Sequence, residues 1–202
     1  MITIINYGMG NIRSVQKAFL HSGVETRVSS DYNDIRNSDK IVLPGVGNFS
    51  AGITNLKKLS LVDVLSEAAL IKKIPILGIC LGMQLMTEFS EEGNENGFGW
   101  IKGKTKKFNF INSELKVPHI GWNNIQQKKE TRLLESSEPT SFYYFVHSYY
   151  VSCSDAEDIC CESNYGHNFV SMFNRNNIYG CQFHPEKSHE AGLIILKNFS
   201  KI

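Results

Sequence analysis

The sequence predicts an α/β protein, with a mostly parallel central sheet, helices on both faces and additional antiparallel strands in the C-terminal half. Three observations predict it. Apolar runs at 2–5, 40–43 and 74–79 are short for helices and lack the alternation of half-exposed strands, as buried parallel strands do. Stretches of helical periodicity separate these runs. Beyond Trp100, short strand-like pieces alternate with turns, the pattern of antiparallel additions. No linker, repeat or low-complexity segment divides the 202 residues, so one domain over 1–202 is expected.

Taken in order, residues 2–5 form a first buried strand ending in Asn6-Tyr7-Gly8-Met9-Gly10-Asn11. This Gly-x-Gly lacks the third glycine of a dinucleotide site, and Arg13 and Ser14 stand where a helix would need close packing. A tight strand-to-helix turn is expected instead. A helix over 12–21 places Val15, Ala18, Phe19 and Ser22 on one face and stops at Gly23. Strands follow at 24–28 and 40–43. The stretch Pro44-Gly45-Val46-Gly47 has two readings: a plain turn, or glycines that let a peptide unit point its N–H at a neighbouring strand end. Asn48 caps a helix that Leu56, Leu59, Val62, Leu65 and Ala69 carry to Lys73. The strand through Ile76, Leu77 and Ile79 leads into Cys80 and another helix, after which 91–97 reads as an exposed polar loop. Later strands are expected at 104–111, 115–117, 122–126, 142–150 and 169–173, with a hairpin loop at 174–177 and a return through 178–183. Ser188 caps a last helix bearing Leu193, Ile194, Leu196 and Phe199.

Charge and cysteine usage narrow the partners. A net charge of +1 gives no basis for binding nucleic acid or an acidic membrane surface, and no apolar run approaches the length of a membrane span. Cys80, Cys153, Cys160, Cys161 and Cys181 make an odd count without a Cys-x-x-Cys pair or metal-type histidine spacing, so neither a disulfide framework nor a metal site is expected. The adjacent Cys160 and Cys161 suit a buried strand. Met-Ile-Thr-Ile-Ile-Asn has no basic region and does not read as a signal peptide, and a reducing cytoplasm is expected.

The chemistry concentrates at Gly78-Ile79-Cys80-Leu81-Gly82. This is the thiol counterpart of the nucleophile elbow, in which a reactive side chain sits on a sharp strand-to-helix turn between small residues. A helix start favours thiolate over thiol, and the Leu81 N–H would point at an oxyanion. A buried core thiol is the competing reading of this stretch alone. At the end of the last strand, His184-Pro185-Glu186 holds two side chains on one side, because a residue before proline is kept extended. Glu186 can then accept from one imidazole nitrogen while the other faces a nucleophile, as in a triad.

Gly78 to Gln84 together with Gln182-Phe183-His184-Pro185-Glu186 resembles the class I, triad-type glutamine amidotransferases, whose flavodoxin-like fold the resemblance implies. Tyr7 to Asn11, Pro44 to Gly47, His119-Ile120-Gly121-Trp122-Asn123 and Glu186-Lys187-Ser188 narrow the resemblance to the glutaminase subunits of imidazole glycerol phosphate synthase. It implies that Cys80 is the nucleophile, His184 the base and Glu186 its orienter, with an oxyanion hole from the N–H groups of Leu81 and of a reoriented peptide at Val46. Glutamine recognition maps onto Gly47, Gln84, His147, Ser148 and Tyr149. Asn11, Trp122, Tyr144 and Lys187 match a face that docks a (β/α)8 cyclase subunit, the HisF-type partner of a heterodimer. Ammonia would pass through that partner to PRFAR, giving imidazole glycerol phosphate and AICAR in histidine biosynthesis, and no cofactor is implied. The chain departs from the family at Asn6, often Asp, and at Cys181, often Thr. Ammonia supply to another synthase, such as one amidating a surface-polysaccharide sugar, and a non-catalytic regulatory subunit are the alternatives.

Overall fold

The computed structural model describes residues 1–110 and 114–202. Five parallel strands run β2(Thr26–Ser29), β1(Ile2–Ile5), β3(Lys40–Gly45), β4(Ile76–Cys80) and β14(Ile178–Cys181) in spatial order. Successive residues of these strands enter different cores. Ile5 and Leu43 join the cluster under α3(Phe49–Lys58), α4(Leu61–Ser66) and α5(Leu81–Leu85). Ile4 and Val42 join the one under α1(Ile12–His21) and α6(His189–Lys201). A sheet covered on both faces favours apolar residues at successive positions, which is why β1, β3 and β4 read as apolar runs. A short helix, α2(Tyr32–Arg36), opens at Asp31, whose carboxylate accepts from the N–H groups of Asn33 and Asp34.

Several boundaries differ from expectation. β2 begins at Thr26 rather than Val24, as a half-buried edge strand. β3 continues through Pro44 and Gly45, and Gly45 lies opposite Cys80. Asn48 caps α3 through the Ala51 N–H, but the long helix expected to reach Lys73 breaks at Ser60, whose left-handed backbone separates α3 from α4. α4 passes into a π-helical turn, Glu67–Ile71, and Leu59 lies exposed at the break. The helix after Cys80 is a short one. Thr87 Oγ1 donates to the Gln84 carbonyl, satisfying an acceptor that a longer helix would have used, and the chain turns into β5(Thr87–Ser90). Within the polar stretch 91–97, β6(Glu95–Asn96) pairs with β5.

The C-terminal additions are antiparallel for the most part: β7(Ile101–Lys107), β8(His119–Asn124), β9(Gln126–Gln127), β10(Phe142–His147), β11(Tyr149–Cys153), β12(Ile159–Tyr165) and β13(His167–Arg175). The piece expected at 104–111 starts earlier, as β7, and Ile111 lies outside the described residues. Residues 115–117 form no strand. The piece at 122–126 divides into β8 and β9. The run 142–150 divides at Ser148: β10 pairs with β8 in a separate two-stranded sheet, whereas β11 joins the main sheet between β7 and β13. Cys160 and Cys161 are both fully buried although side chains alternate along a strand. Register shifts on both sides of Cys161 explain it, since a bulge turns two neighbours inward together.

Candidate active site

Cys80 occupies the junction of β4 and α5 with φ 52° and ψ −108°, a strained backbone for a residue with a side chain. The steric demand on its neighbours is severe. A Cβ on Gly82 would lie 1.8 Å from the Leu43 carbonyl oxygen, and one on Gly78 2.7 Å from the Met83 nitrogen. Gly45, opposite Cys80, is equally crowded: its Cβ would lie 2.5 Å from the Tyr7 hydroxyl, a buried group with no hydrogen-bond partner among the described residues. Burial and the neighbouring Cys80 raise the Tyr7 phenol above its ordinary range. Burial likewise raises the Cys153, Cys160, Cys161 and Cys181 thiols; the last three lie in the core and Cys153 is partly buried against it.

The histidine arrives from β14. Because Cys181 pairs with Ile79, the chain beyond β14 emerges beside the elbow. His184 holds the extended backbone expected before a proline, and its Nδ1 lies 2.8 Å from Glu186 Oε1 with both side chains 1% exposed. Burial lowers the tendency of His184 to carry a proton, but the Cys80 charge and the Glu186 carboxylate outweigh it and raise the group to about 10. Nε2 is buried and, apart from Cys80, has no hydrogen-bond partner among the described residues. Ser188 stands at the N-cap position of α6 without capping it: its hydroxyl donates to the His184 carbonyl at 2.6 Å and accepts the Tyr144 N–H at 3.0 Å, fixing the turn to β10.

These groups face a cavity of about 260 Å³. Its wall contains Cys80, His184, Val46 and Leu81, and also Gly47, Gln84, His147, Ser148 and Tyr149, so every residue expected to react with or bind the substrate, apart from the orienting Glu186, lines one space. The Tyr149 carbonyl organises much of this wall. It accepts from Gln84 Nε2 at 2.9 Å and lies 2.8 Å from His147 Nδ1. A carbonyl can only accept, so His147 carries its proton on Nδ1 and its Nε2 accepts from His119 Nδ1 at 3.0 Å. Burial pushes His147 down to about 3 and His119 to about 4, consistent with two neutral rings. Both nitrogens of His147 are therefore engaged within the protein, and the ring acts as wall.

The sequence reading missed two residues here. Glu92, from the stretch taken as an exposed loop, lines the cavity while its Oε2 accepts the Phe49 N–H at 2.8 Å. Gln182, fully buried, accepts from Gln84 through Oε1 and places Nε2 3.6 Å from Cys80 Sγ. Glu92 had a signal in its charge, but Gln182 had none beyond its place in the motif. Among the described residues no group of three or more His, Cys, Asp or Glu side chains is placed to hold a metal ion.

The residues matched to a docking face gather beside the site. Tyr144 pairs with Trp122 across β10 and β8, the Trp122 ring stacks on His189 at 4.9 Å, and Lys187 Nζ lies 5.6 Å from the centre of the Tyr144 ring. Asn11 is exposed at the start of α1, a helix that packs against the turn Pro185–Lys187. Ile120, Trp122 and Phe142 leave large apolar surfaces uncovered.

Comparison with known proteins gives a match to the family described as glutamine amidotransferase class-I over residues 3–201. The chain is 45% identical to imidazole glycerol phosphate synthase subunit HisH 2 of Methanococcus maripaludis, covering 100% of this chain and 99% of that protein. It is 46% identical to the HisH subunit of Bacillus cereus, covering 100% and 95%. Among solved structures, PurLQS from Thermotoga maritima superposes with a TM-score of 0.75 at 19% identity, over 99% of this chain and 97% of that one, a likeness of fold.

Proposed function

Because the chain belongs to the class-I glutamine amidotransferases, we propose that it hydrolyses glutamine to glutamate and ammonia as the glutaminase subunit of imidazole glycerol phosphate synthase, in histidine biosynthesis. The observation that carries this reading is the single cavity shared by Cys80, His184 and the five residues matched to glutamine recognition.

Cys80 Sγ attacks the carboxamide carbon of glutamine, and the oxygen that becomes negative is met by the N–H groups of Leu81 and Val46. His184, oriented by Glu186, takes the thiol proton on Nε2 and delivers it to the departing ammonia. Water then adds to the γ-glutamyl thioester, His184 accepts its proton, and collapse expels the thiolate with glutamate. Gln84 spends both N–H bonds on Tyr149 and Gln182, so only its Oε1 is left for the substrate. That oxygen and the Glu92 carboxylate suit the α-ammonium of glutamine, while the walls at Gly47 and 147–149 close around the rest.

The ammonia is passed to a (β/α)8 cyclase subunit docked in a heterodimer on the face of Asn11, Trp122, Tyr144 and Lys187, where it converts PRFAR to imidazole glycerol phosphate and AICAR. The exposed apolar side chains of β8 and β10 support that docking. The cytoplasm is the proposed location, since it keeps five free thiols reduced. Glutamate release, measured with and without the cyclase subunit and PRFAR, tests the whole reading. Strong stimulation that disappears in Cys80→Ala is expected. Partner-independent turnover would identify a free hydrolase, and rescue by a different synthase would move the protein to another pathway.

A further inference from the structure

We propose that Gln182 is a catalytic residue of this site, donating a hydrogen bond from Nε2 to the Cys80 sulfur whenever that sulfur carries negative charge. The inference deepens the glutaminase reading and rests on it for the reaction, but not for the hydrogen bond.

The oxygen and nitrogen of a side-chain amide are hard to tell apart by shape, so the direction of such a bond must come from its neighbours. Here one backbone group decides the whole chain. The Tyr149 carbonyl is an acceptor only, so the Gln84 atom 2.9 Å from it is the nitrogen. The second N–H on that nitrogen needs an acceptor, and the Gln182 atom 3.1 Å away is therefore Oε1. That leaves Nε2 of Gln182 turned to Cys80 Sγ at 3.6 Å, within reach of a sulfur acceptor. Reversing Gln182 would set two donors against each other in a fully buried place and remove the donor from the sulfur.

The main sheet explains why this residue and no neighbour holds the position. Parallel pairing of β14 with β4 sets Cys181 against Ile79, so the next residue along falls beside Cys80. Sγ also meets His184, and it lies 4.0 Å from the Val146 carbonyl, which accepts from a thiol and repels a thiolate. Gln182 supplies the opposite preference. The sulfur is negative before it attacks and again as it leaves the thioester, so the donor acts on both halves of the reaction. Gln84 binds substrate with the same amide that holds Gln182 in place, which links occupancy of the cavity to the orientation of the donor.

The test is the pH dependence of Cys80 alkylation by iodoacetamide on the full chain, read at the Cys80 peptide by mass spectrometry, for the native protein and for Gln182→Met and Gln182→Leu. Loss of a charge-assisted bond is expected to move the inflection upward by about one pH unit. In the assembled synthase the same variants are expected to lose about tenfold or more in kcat with a smaller change in KM. Melting curves identify the folded variants, and the two replacements differ in shape so that one poor fit does not decide the result. An unmoved inflection in a folded variant overturns the proposal. Alkylation needs no glutamine, so a shifted inflection in a protein that hydrolyses no glutamine would sustain the donor and remove the glutaminase reading.

Discussion

Two buried histidines line the same cavity, and their titrations are shifted in opposite directions. His184 is raised to about 10, whereas His147 is pushed down to about 3. Depth does not separate them, for they are 1% and 5% exposed. Their neighbours do. His184 meets a carboxylate at 2.8 Å and the Cys80 sulfur, both able to hold negative charge, while His147 meets a carbonyl and a second neutral imidazole. Burial penalises a charged ring at both places and is outweighed only at the first. One residue type thus favours the charged or the neutral form according to what faces its nitrogens.

Removing the charge at the first site should produce the largest effect. Glu186→Gln keeps the shape of the carboxylate, yet kcat is expected to fall by about a thousandfold or more, as for other orienting carboxylates. The His184 titration followed by NMR should move down from about 10 in the same variant. Near-native turnover would show that Cys80 alone sustains the imidazolium and would collapse the contrast between the sites.

Stability against pH should carry the signature of both sites at once. His119 and His147 titrate lower in the folded chain than the ordinary 6.5, so the unfolded chain binds more protons over that interval. Their contribution is complete above pH 6.5 and is lost as pH falls toward about 4 and 3. His184 is shifted the other way, so its contribution is complete below pH 6.5 and is lost as pH rises through about 10. The melting temperature should therefore fall by several degrees on the acid side, and His119→Phe, which removes one of the two neutral rings, should flatten that limb. A melting temperature level from pH 6.5 to about 4 would contradict the neutral pair.

What could be read from the sequence follows from the range of the interactions involved. The elbow was legible because its requirement is local: Gly82 has no room for a Cβ against Leu43, and the residue before Pro185 is held extended. The apolar runs of β1, β3 and β4 were legible because burial on both faces leaves them unbroken. The motif around His184 contains Gln182 but does not reveal it as a donor, since its place beside Cys80 comes from the pairing of strands far apart in the chain. The run 142–150 has uniform strand character, and only tertiary packing divides it at Ser148. Ser60 breaks a helix whose apolar spacing continues past it, because a single left-handed residue leaves no periodic trace. The polar surroundings of Glu92 suggest solvent, although its carboxylate reaches back to the Phe49 N–H and the cavity.

The smallest effect sharpens the comparison from the side of the neutral pair. In His119→Phe an aromatic ring keeps its place between Tyr165, 4.1 Å away, and Phe145, 5.0 Å away, so packing is largely conserved. What disappears is the donor to His147 Nε2, leaving a buried acceptor unpaired beneath the Tyr149 carbonyl. The cost expected from chemical denaturation is about 1–3 kcal/mol near neutral pH. The effect on kcat should be far smaller than that of Glu186→Gln, because Gln84 and Gln182 depend on the Tyr149 carbonyl and not on the rings behind it. If kcat fell as far as in Glu186→Gln while the fold stayed intact, the pair would have to transmit a proton or a displacement to the reacting groups, and the division between the charged and the neutral ring would not hold.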